Sequence, residues 1–198
     1  MSEKLEKALA AIDAANAADP NTIVYAGEEQ PKELCHSQLA TEWLEKLAPK
    51  ATEAQKLAAR AHHLRRWEIP RDSYPKDRAG YLRWRTELGR FHSEETAKLL
   101  EKVGYDTQTI ERVGAIIRKR NLKGDPEVQT HEDVLCLVFL STQLDMLAGD
   151  LETDKLIEVL AKSLNKMSEE GRQQALRLSL NNAQRGILAR ALTLSKTL

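Results

Sequence analysis

Nearly every stretch of this chain repeats its apolar residues at the three-to-four-residue spacing of an amphipathic helix. The spacing predicts helices over about residues 3–17, 31–47, 52–67, 78–103, 106–118 and 126–147, with two or three more beyond residue 152. Proline and glycine stand between these segments, where a helix has to stop. No run of residues shows the two-residue alternation of a strand, so the pattern predicts an all-α fold.

Polar residues mark where several of these helices should begin. Thr52 and Gln55 have the spacing of a capping box, and Asp106, Ser168 and Asn182 are candidate caps for later helices. The segment opened by Asp125-Pro126 is the most apolar part of the chain, with hardly a polar face from residue 134 to 140. We therefore expect the residues of that helix to be buried.

Composition limits the class of protein. The chain has 198 residues, 30 basic and 30 acidic, so no net charge draws it to nucleic acid or to an anionic membrane. The two cysteines, Cys35 and Cys136, lie far apart in helical segments and suit free thiols in a reducing compartment. The N-terminus lacks the apolar stretch of a secretory signal. We expect a cytoplasmic protein with no membrane partner.

Local charge departs from this balance in one place. Residues 60–90 contain nine basic residues against four acidic ones. Arginine forks match phosphate oxygens in a bidentate way, so this excess favours a phosphorylated ligand. The arginines also flank tryptophans, in Arg65-Arg66-Trp67 and Arg83-Trp84-Arg85. Stacking of arginine on tryptophan within a solvated face is the structural alternative.

All five histidines fall between residues 36 and 131, and the acidic pair Glu132-Asp133 follows directly. A single histidine on a half-apolar helix is more often a hydrogen-bonded core residue than a ligand. The ordered set nevertheless indicates several helices that bring imidazole and carboxylate groups to one point. His62 and His63 point about 100° apart on a helix, so only one of them can reach a shared ion, and His62 is the expected spare.

Three stretches carry a resemblance to known families: His62-His63-Leu64-Arg65-Arg66-Trp67-Glu68-Ile69-Pro70, Asp77-Arg78-Ala79-Gly80-Tyr81-Leu82-Arg83-Trp84-Arg85, and Glu132-Asp133-Val134. Together they resemble a bacterial and fungal family of unassigned function over nearly the whole chain. The order of the histidines and the aspartate over residues 36–145 is also similar to the HD-domain superfamily of metal-dependent phosphohydrolases.

The superfamily resemblance implies an HD-like helical core with the N-terminal helix over residues 1–150, and further helices over 151–198 that pack on the same domain. It also implies a metal site. An HD-type site takes two histidines and two aspartates, but Leu64 follows His63 where the motif has aspartate. His92 is then expected to complete a set of His36, His63, His92 and Asp133. Such a set suits zinc or another first-row transition metal better than magnesium.

The function implied is hydrolysis of a nucleotide or another small phosphorylated metabolite at this metal. The predicted substrate-binding residues are Arg60, Arg66, Trp67, Arg78 and Arg85, and Glu68 is the predicted general acid or base. Nucleic acid is a less favoured ligand. The alternative is a catalytically inactive HD-like module that binds an anionic ligand, RNA or a protein partner through the basic and aromatic surface of residues 60–90.

Overall fold

The computed structural model describes residues 2–197. Over that range the chain forms nine α-helices and one two-stranded hairpin, so the all-α prediction is confirmed. In chain order the elements are α1 Glu3–Asn16, β1 Thr22–Tyr25, β2 Glu28–Pro31, α2 Lys32–Leu47, α3 Glu53–Ala61, α4 Arg78–Val103, α5 Thr107–Ile117, α6 Pro126–Asp150, α7 Thr153–Leu164, α8 Glu169–Leu176 and α9 Asn182–Ser195. Among the described residues no helix has the length and apolar content needed to cross a bilayer.

The described residues fall into two compact units that divide between His131 and Glu132, inside α6. The first unit contains α1 to α5, the hairpin and the first residues of α6. Its core is a single apolar cluster from α1, α3, α4, α5 and the adjoining turns. The largest fully buried members are Ile12, Leu57, Leu64, Leu100 and Ile116.

The helices of the first unit begin where side chains can accept from their free amide groups. The Thr52–Gln55 capping box is present, and the Asp106 carboxylate accepts from the Thr109 amide at 2.8 Å. Asp77 starts α4 in the same way. The caps at Thr52 and Asp106 match those predicted from the sequence, whereas the cap at Asp77 was not predicted; together they fix where α3, α4 and α5 begin.

The apolar pattern did not predict the hairpin. Thr22 pairs with Pro31 and Tyr25 with Glu28, and the turn between them has positive φ angles of 53° at Ala26 and 86° at Gly27. The expectation that no strand is present is therefore wrong. The strands are only four residues long, too short for an alternating pattern to stand out.

The third helix is shorter than predicted. It ends at Ala61 rather than near Trp67, and the chain then turns through Arg65, whose φ of 54° is left-handed. Two short 3-10 turns follow, at Arg66–Glu68 and Arg71–Ser73. Helix α4 starts only after this irregular segment, and a Cβ at Gly80 would overlap the carbonyl oxygen of Pro75.

In the second unit, α7 and α9 pack against each other through buried apolar residues. These are Leu156, Leu160, Leu164, Leu188 and Ala191. Ser168 caps α8 as predicted, whereas α9 is capped by Asn181 rather than Asn182. The apolar part of α6 is buried, as expected, at Leu137, Val138 and Leu140.

Candidate metal centre

Glu33 is the central residue of the candidate site. It stands in the first turn of α2, directly after the hairpin, and only 4% of the residue is exposed. Its backbone amide donates to the Asp19 carboxylate at 3.0 Å, so a residue before the hairpin satisfies a free amide of the helix start. Because Glu33 and His36 are three residues apart on α2, their side chains project from the same face.

Two imidazoles meet the Glu33 carboxylate. His36 Nδ1 lies 3.4 Å and His63 Nδ1 3.1 Å from Glu33 Oε2. His63 comes from the turn that follows α3, so two separate segments supply the three side chains. One potential ligand atom from each residue lies within 4.8 Å of the others. Ligands at zinc distances in a tetrahedron stand roughly 3.3 Å apart, and the two distances from Glu33 Oε2 to the histidine nitrogens are close to that value.

His92 adds a third imidazole beside this triad. It lies on α4, its Nδ1 hydrogen-bonds the carbonyl oxygen of Leu64 at 2.9 Å, and its ring centroid is 5.6 Å from that of His63. The Nε2 atoms of His36 and His92 are both buried without a hydrogen-bond partner among the described residues. A histidine held at one nitrogen by a carboxylate or a carbonyl is the usual arrangement behind a metal-binding nitrogen.

The electrostatics favour neutral rings at His62, His63 and His92 and an ionised carboxylate at Glu33. Burial lowers the pKa of His62 to about 3 and that of His92 to about 4. Burial, His62 and Arg66 hold the pKa of His63 well below its ordinary value. Burial acts to raise the pKa of Glu33, but His63 and His36 outweigh it and hold that pKa well below the usual value. Neutral imidazole and carboxylate are the forms that bind metals.

Arg66 closes one side of the triad. Its Nη1 donates to His63 Nε2 at 3.2 Å, and its Nε lies 3.8 Å from Glu33 Oε1. The guanidinium carbon stands 5.0 Å from the centre of the Trp84 ring, whose Nε1 donates to the Ile69 carbonyl oxygen at 3.0 Å. Burial lowers the pKa of Arg66, and the nearby Arg85 adds to this. The site thus holds an arginine that is already largely desolvated.

The other predicted substrate-binding residues differ in exposure and in hydrogen-bond partners. Arg60 is bound by Asp13, with Nε to Oδ1 at 2.6 Å and Nη2 to Oδ2 at 2.7 Å. Arg85 and Arg78 are exposed on α4, and Trp67 is half-buried in the 3-10 turn that begins at Arg66. The ring beneath Arg66 is that of Trp84.

The predicted general acid or base, Glu68, has an exposed side chain 3.5 Å from Arg65 Nη1. Its catalytic role stays a prediction.

Asp133, the fourth predicted ligand, lies in the second unit. Its carboxylate accepts from the Ser168 amide at 2.8 Å and from the Ser168 hydroxyl at 2.5 Å. A Cβ at Gly171 would overlap the same carboxylate. Asp133 therefore anchors the start of α8, and its place in a metal set stays a prediction.

The sequence reasoning overlooked Glu33 as a site residue. Glu33-Leu34-Cys35-His36 places a carboxylate and an imidazole three residues apart on a helix, a spacing that metal sites in helical proteins use repeatedly. That signal was present in the chain. The resemblance to the HD-type order pointed instead to Asp133, because that order has no carboxylate before its first histidine.

Comparison with known proteins identifies a family without an activity. A family model described as a domain of unknown function (DUF4202) matches residues 6–188, and the chain belongs to that family. No curated protein and no solved structure matches the chain significantly. The function must therefore be argued from the site.

Proposed function

We propose that the first unit of this family member binds a divalent transition metal and hydrolyses a small phosphorylated metabolite or nucleotide. One observation carries the proposal: the buried triad of Glu33, His36 and His63, whose ligand atoms all lie within 4.8 Å of one another. Two buried, unpartnered imidazole nitrogens, on His36 and His92, adjoin it among the described residues. Burying these nitrogens without a partner costs free energy, and a bound metal ion would offset that cost.

The donor set favours zinc or a neighbouring first-row metal. Imidazole nitrogens suit zinc, copper, iron and nickel, whereas magnesium prefers an all-oxygen shell. Three protein ligands leave a tetrahedral ion with one further position for water or substrate. The residues therefore fit an open site of the catalytic kind, with Glu33 as the carboxylate that the HD-type motif would supply elsewhere.

The surrounding charge favours an anionic substrate. A divalent ion supplies a water nucleophile near neutral pH and offsets charge on a phosphoryl oxygen. Arg66 contacts the triad directly, and Arg85 is close enough to lower the pKa of Arg66. Two arginines beside a single carboxylate leave net positive charge at the site. One guanidinium group can bind two phosphoryl oxygens through parallel hydrogen bonds. We assign Arg66 and Arg85 to the phosphoryl group of the substrate.

Metal binding is the first test. The chelator-stripped protein is titrated with zinc, and wild type is compared with Glu33→Gln and His63→Ala. We expect wild type to bind one zinc ion per chain. Either variant should lose zinc affinity by about tenfold to a hundredfold or more, because even residues that only support a metal ligand have an effect of that size when mutated. Glu28→Gln, a change on the exposed strand β2, is the matched control and should bind zinc as wild type does. A correctly folded wild type that takes up no metal would refute the site.

Activity is the second test. The metal-loaded protein is incubated with a panel of nucleotides and sugar phosphates, and released phosphate is measured with and without chelator. Release that requires the metal and disappears in His63→Ala supports the hydrolase. Anion binding that persists in chelator, with no phosphate released from any compound, would instead support the inactive anion-binding module.

A further inference from the structure

We infer that Arg66 and the metal ion compete for His63, and that the arginine released by the ion becomes the clamp for the phosphoryl group of the substrate. This inference rests on the metal site proposed above. It adds a coupling between the binding of the metal ion and the binding of the phosphoryl group. In this structure Arg66 contacts two of the three groups that would bind metal, His63 at 3.2 Å and Glu33 at 3.8 Å.

The competition holds whichever nitrogen of His63 binds the ion. If Nε2 is the ligand, its lone pair goes to the metal and cannot accept from Arg66. If Nδ1 is the ligand, its hydrogen bond to Glu33 is lost, and the neutral ring takes the tautomer that carries the single hydrogen on Nε2. A nitrogen that carries hydrogen cannot accept from the guanidinium. Each binding mode therefore breaks the same hydrogen bond.

Stacking on Trp84 would hold the released guanidinium beside the metal site. It lies over the Trp84 ring at 5.0 Å, and Trp84 is itself only 8% exposed and hydrogen-bonded to the chain at Ile69. This stacking does not depend on His63, so it keeps the arginine beside the ion after the switch. Arg66 would then present donors that no longer have a protein acceptor.

A second cation reinforces the preference for an anion. Arg85 lies near enough to Arg66 and His92 to shift the pKa of both, and it is exposed. Two guanidinium groups and a divalent ion around one carboxylate repel one another until an anion binds between them. The anion expected is a phosphoryl group with at least two charged oxygens.

This coupling has a thermodynamic consequence. An anion that draws Arg66 away from His63 removes a competitor of the metal, so inorganic phosphate should raise the affinity for zinc. By linkage, zinc must raise the affinity for phosphate by the same factor. An arginine with a purely structural role would give no such coupling.

The experiment measures zinc affinity by competition with a metal-binding dye, with and without inorganic phosphate, and corrects for zinc bound by phosphate itself in protein-free samples. We expect phosphate to tighten zinc binding by wild type about threefold or more. In Arg66→Gln we expect zinc to bind about tenfold more tightly without phosphate, because a positive charge a few ångströms from the ion is gone even after screening by water. The effect of phosphate should then disappear.

Two further variants separate charge from general damage. Arg83→Gln removes an exposed arginine of α4, the helix that carries Trp84 and Arg85, and should behave as wild type. Arg66→Lys keeps the charge without the fork, so zinc affinity should stay near the wild-type value while the phosphate effect shrinks. Zinc binding that weakens in a folded Arg66→Gln, or is indifferent to phosphate in wild type, overturns the clamp and leaves the metal site standing. A wild type that binds no zinc overturns both. If Arg66→Gln does not fold, the phosphate effect on wild type decides alone.

Discussion

Removal of the Arg60 guanidinium is predicted to destabilise the first unit by about 2 kcal/mol. Arg60 on α3 binds Asp13 on α1 through two short parallel contacts, at 2.6 and 2.7 Å, and donates to Thr41 Oγ1 on α2 at 3.1 Å. One side chain thus joins three helices. Three of its five N–H donors are used in these contacts, and the edge that would bind a phosphate in a bidentate way is occupied by Asp13.

The size of the predicted loss of stability follows from how exposed the paired side chains are. The side chains of Arg60 and Asp13 are 16% and 28% exposed. Fully exposed pairs contribute about 0.2 to 1 kcal/mol, whereas breaking a buried pair costs about 3 to 5 kcal/mol. A bidentate pair at this intermediate depth should cost about 2 kcal/mol when broken, with a coupling energy of about 1 to 2 kcal/mol between its partners.

The assay is a double-mutant cycle in urea, with Arg60→Met, Asp13→Ala and the combination. The double variant should be less destabilised than the sum of the single ones, because each single change already removes the pair. A coupling energy below about 0.5 kcal/mol would refute a structural pair. If Arg60→Met also folded normally but lost phosphate affinity, the role in substrate binding predicted from the sequence would gain support.

Three further predictions concern stability. Leu100→Ala should cost about 2 to 5 kcal/mol in urea unfolding, because Leu100 is fully buried in the core of the first unit; a smaller loss would mean that the core can collapse around the gap. Gly80→Ala should lower the melting temperature, since its Cβ would overlap the Pro75 carbonyl, and an unchanged value would show that the loop yields freely. Arg112 holds the pKa of Asp125 at about 2, below the ordinary value, so this carboxylate stabilises the fold above about pH 4 and the contribution is lost as the pH falls toward 2. Asp125→Asn should therefore cost about 1 kcal/mol at pH 7, after allowance for partial exposure, and progressively less between pH 4 and 2 in denaturant titrations; a cost that does not depend on pH would contradict the pairing.

Helices could be read from the sequence because their signals are local. The apolar spacing and the caps at Thr52, Asp106 and Ser168 each involve residues only a few positions apart, and the structure has these caps. The end of α3 could not be read in the same way. Residues 62–67 keep a helical pattern of apolar and polar positions, yet the chain leaves the helix at Ala61.

The partners of each site residue were harder to predict than the residues themselves. Arg60 and Arg66 are both arginines in the same basic stretch, and composition gives them the same role. The structure separates them, because Arg60 faces Asp13 and Arg66 faces Glu33 and His63. Asp13 and Glu33 lie 47 and 33 residues before their partners, so only the tertiary fold decides which arginine keeps its donors available.

The same reasoning explains why His63, and not His62, reaches Glu33. His62 is the C-cap of α3, and its Nδ1 is hydrogen-bonded to the Ala59 carbonyl oxygen at 2.8 Å. His63 stands one residue later, where the chain has begun the turn completed by left-handed Arg65. The Arg65 amide donates to Asn16 Oδ1 at 3.3 Å, so the end of α1 holds this turn in place across 49 residues of sequence. The triad of Glu33, His36 and His63 thus depends on a contact between α1 and the turn. On the proposed function, a change at Asn16 should weaken zinc binding in the same titration, although that residue is no ligand.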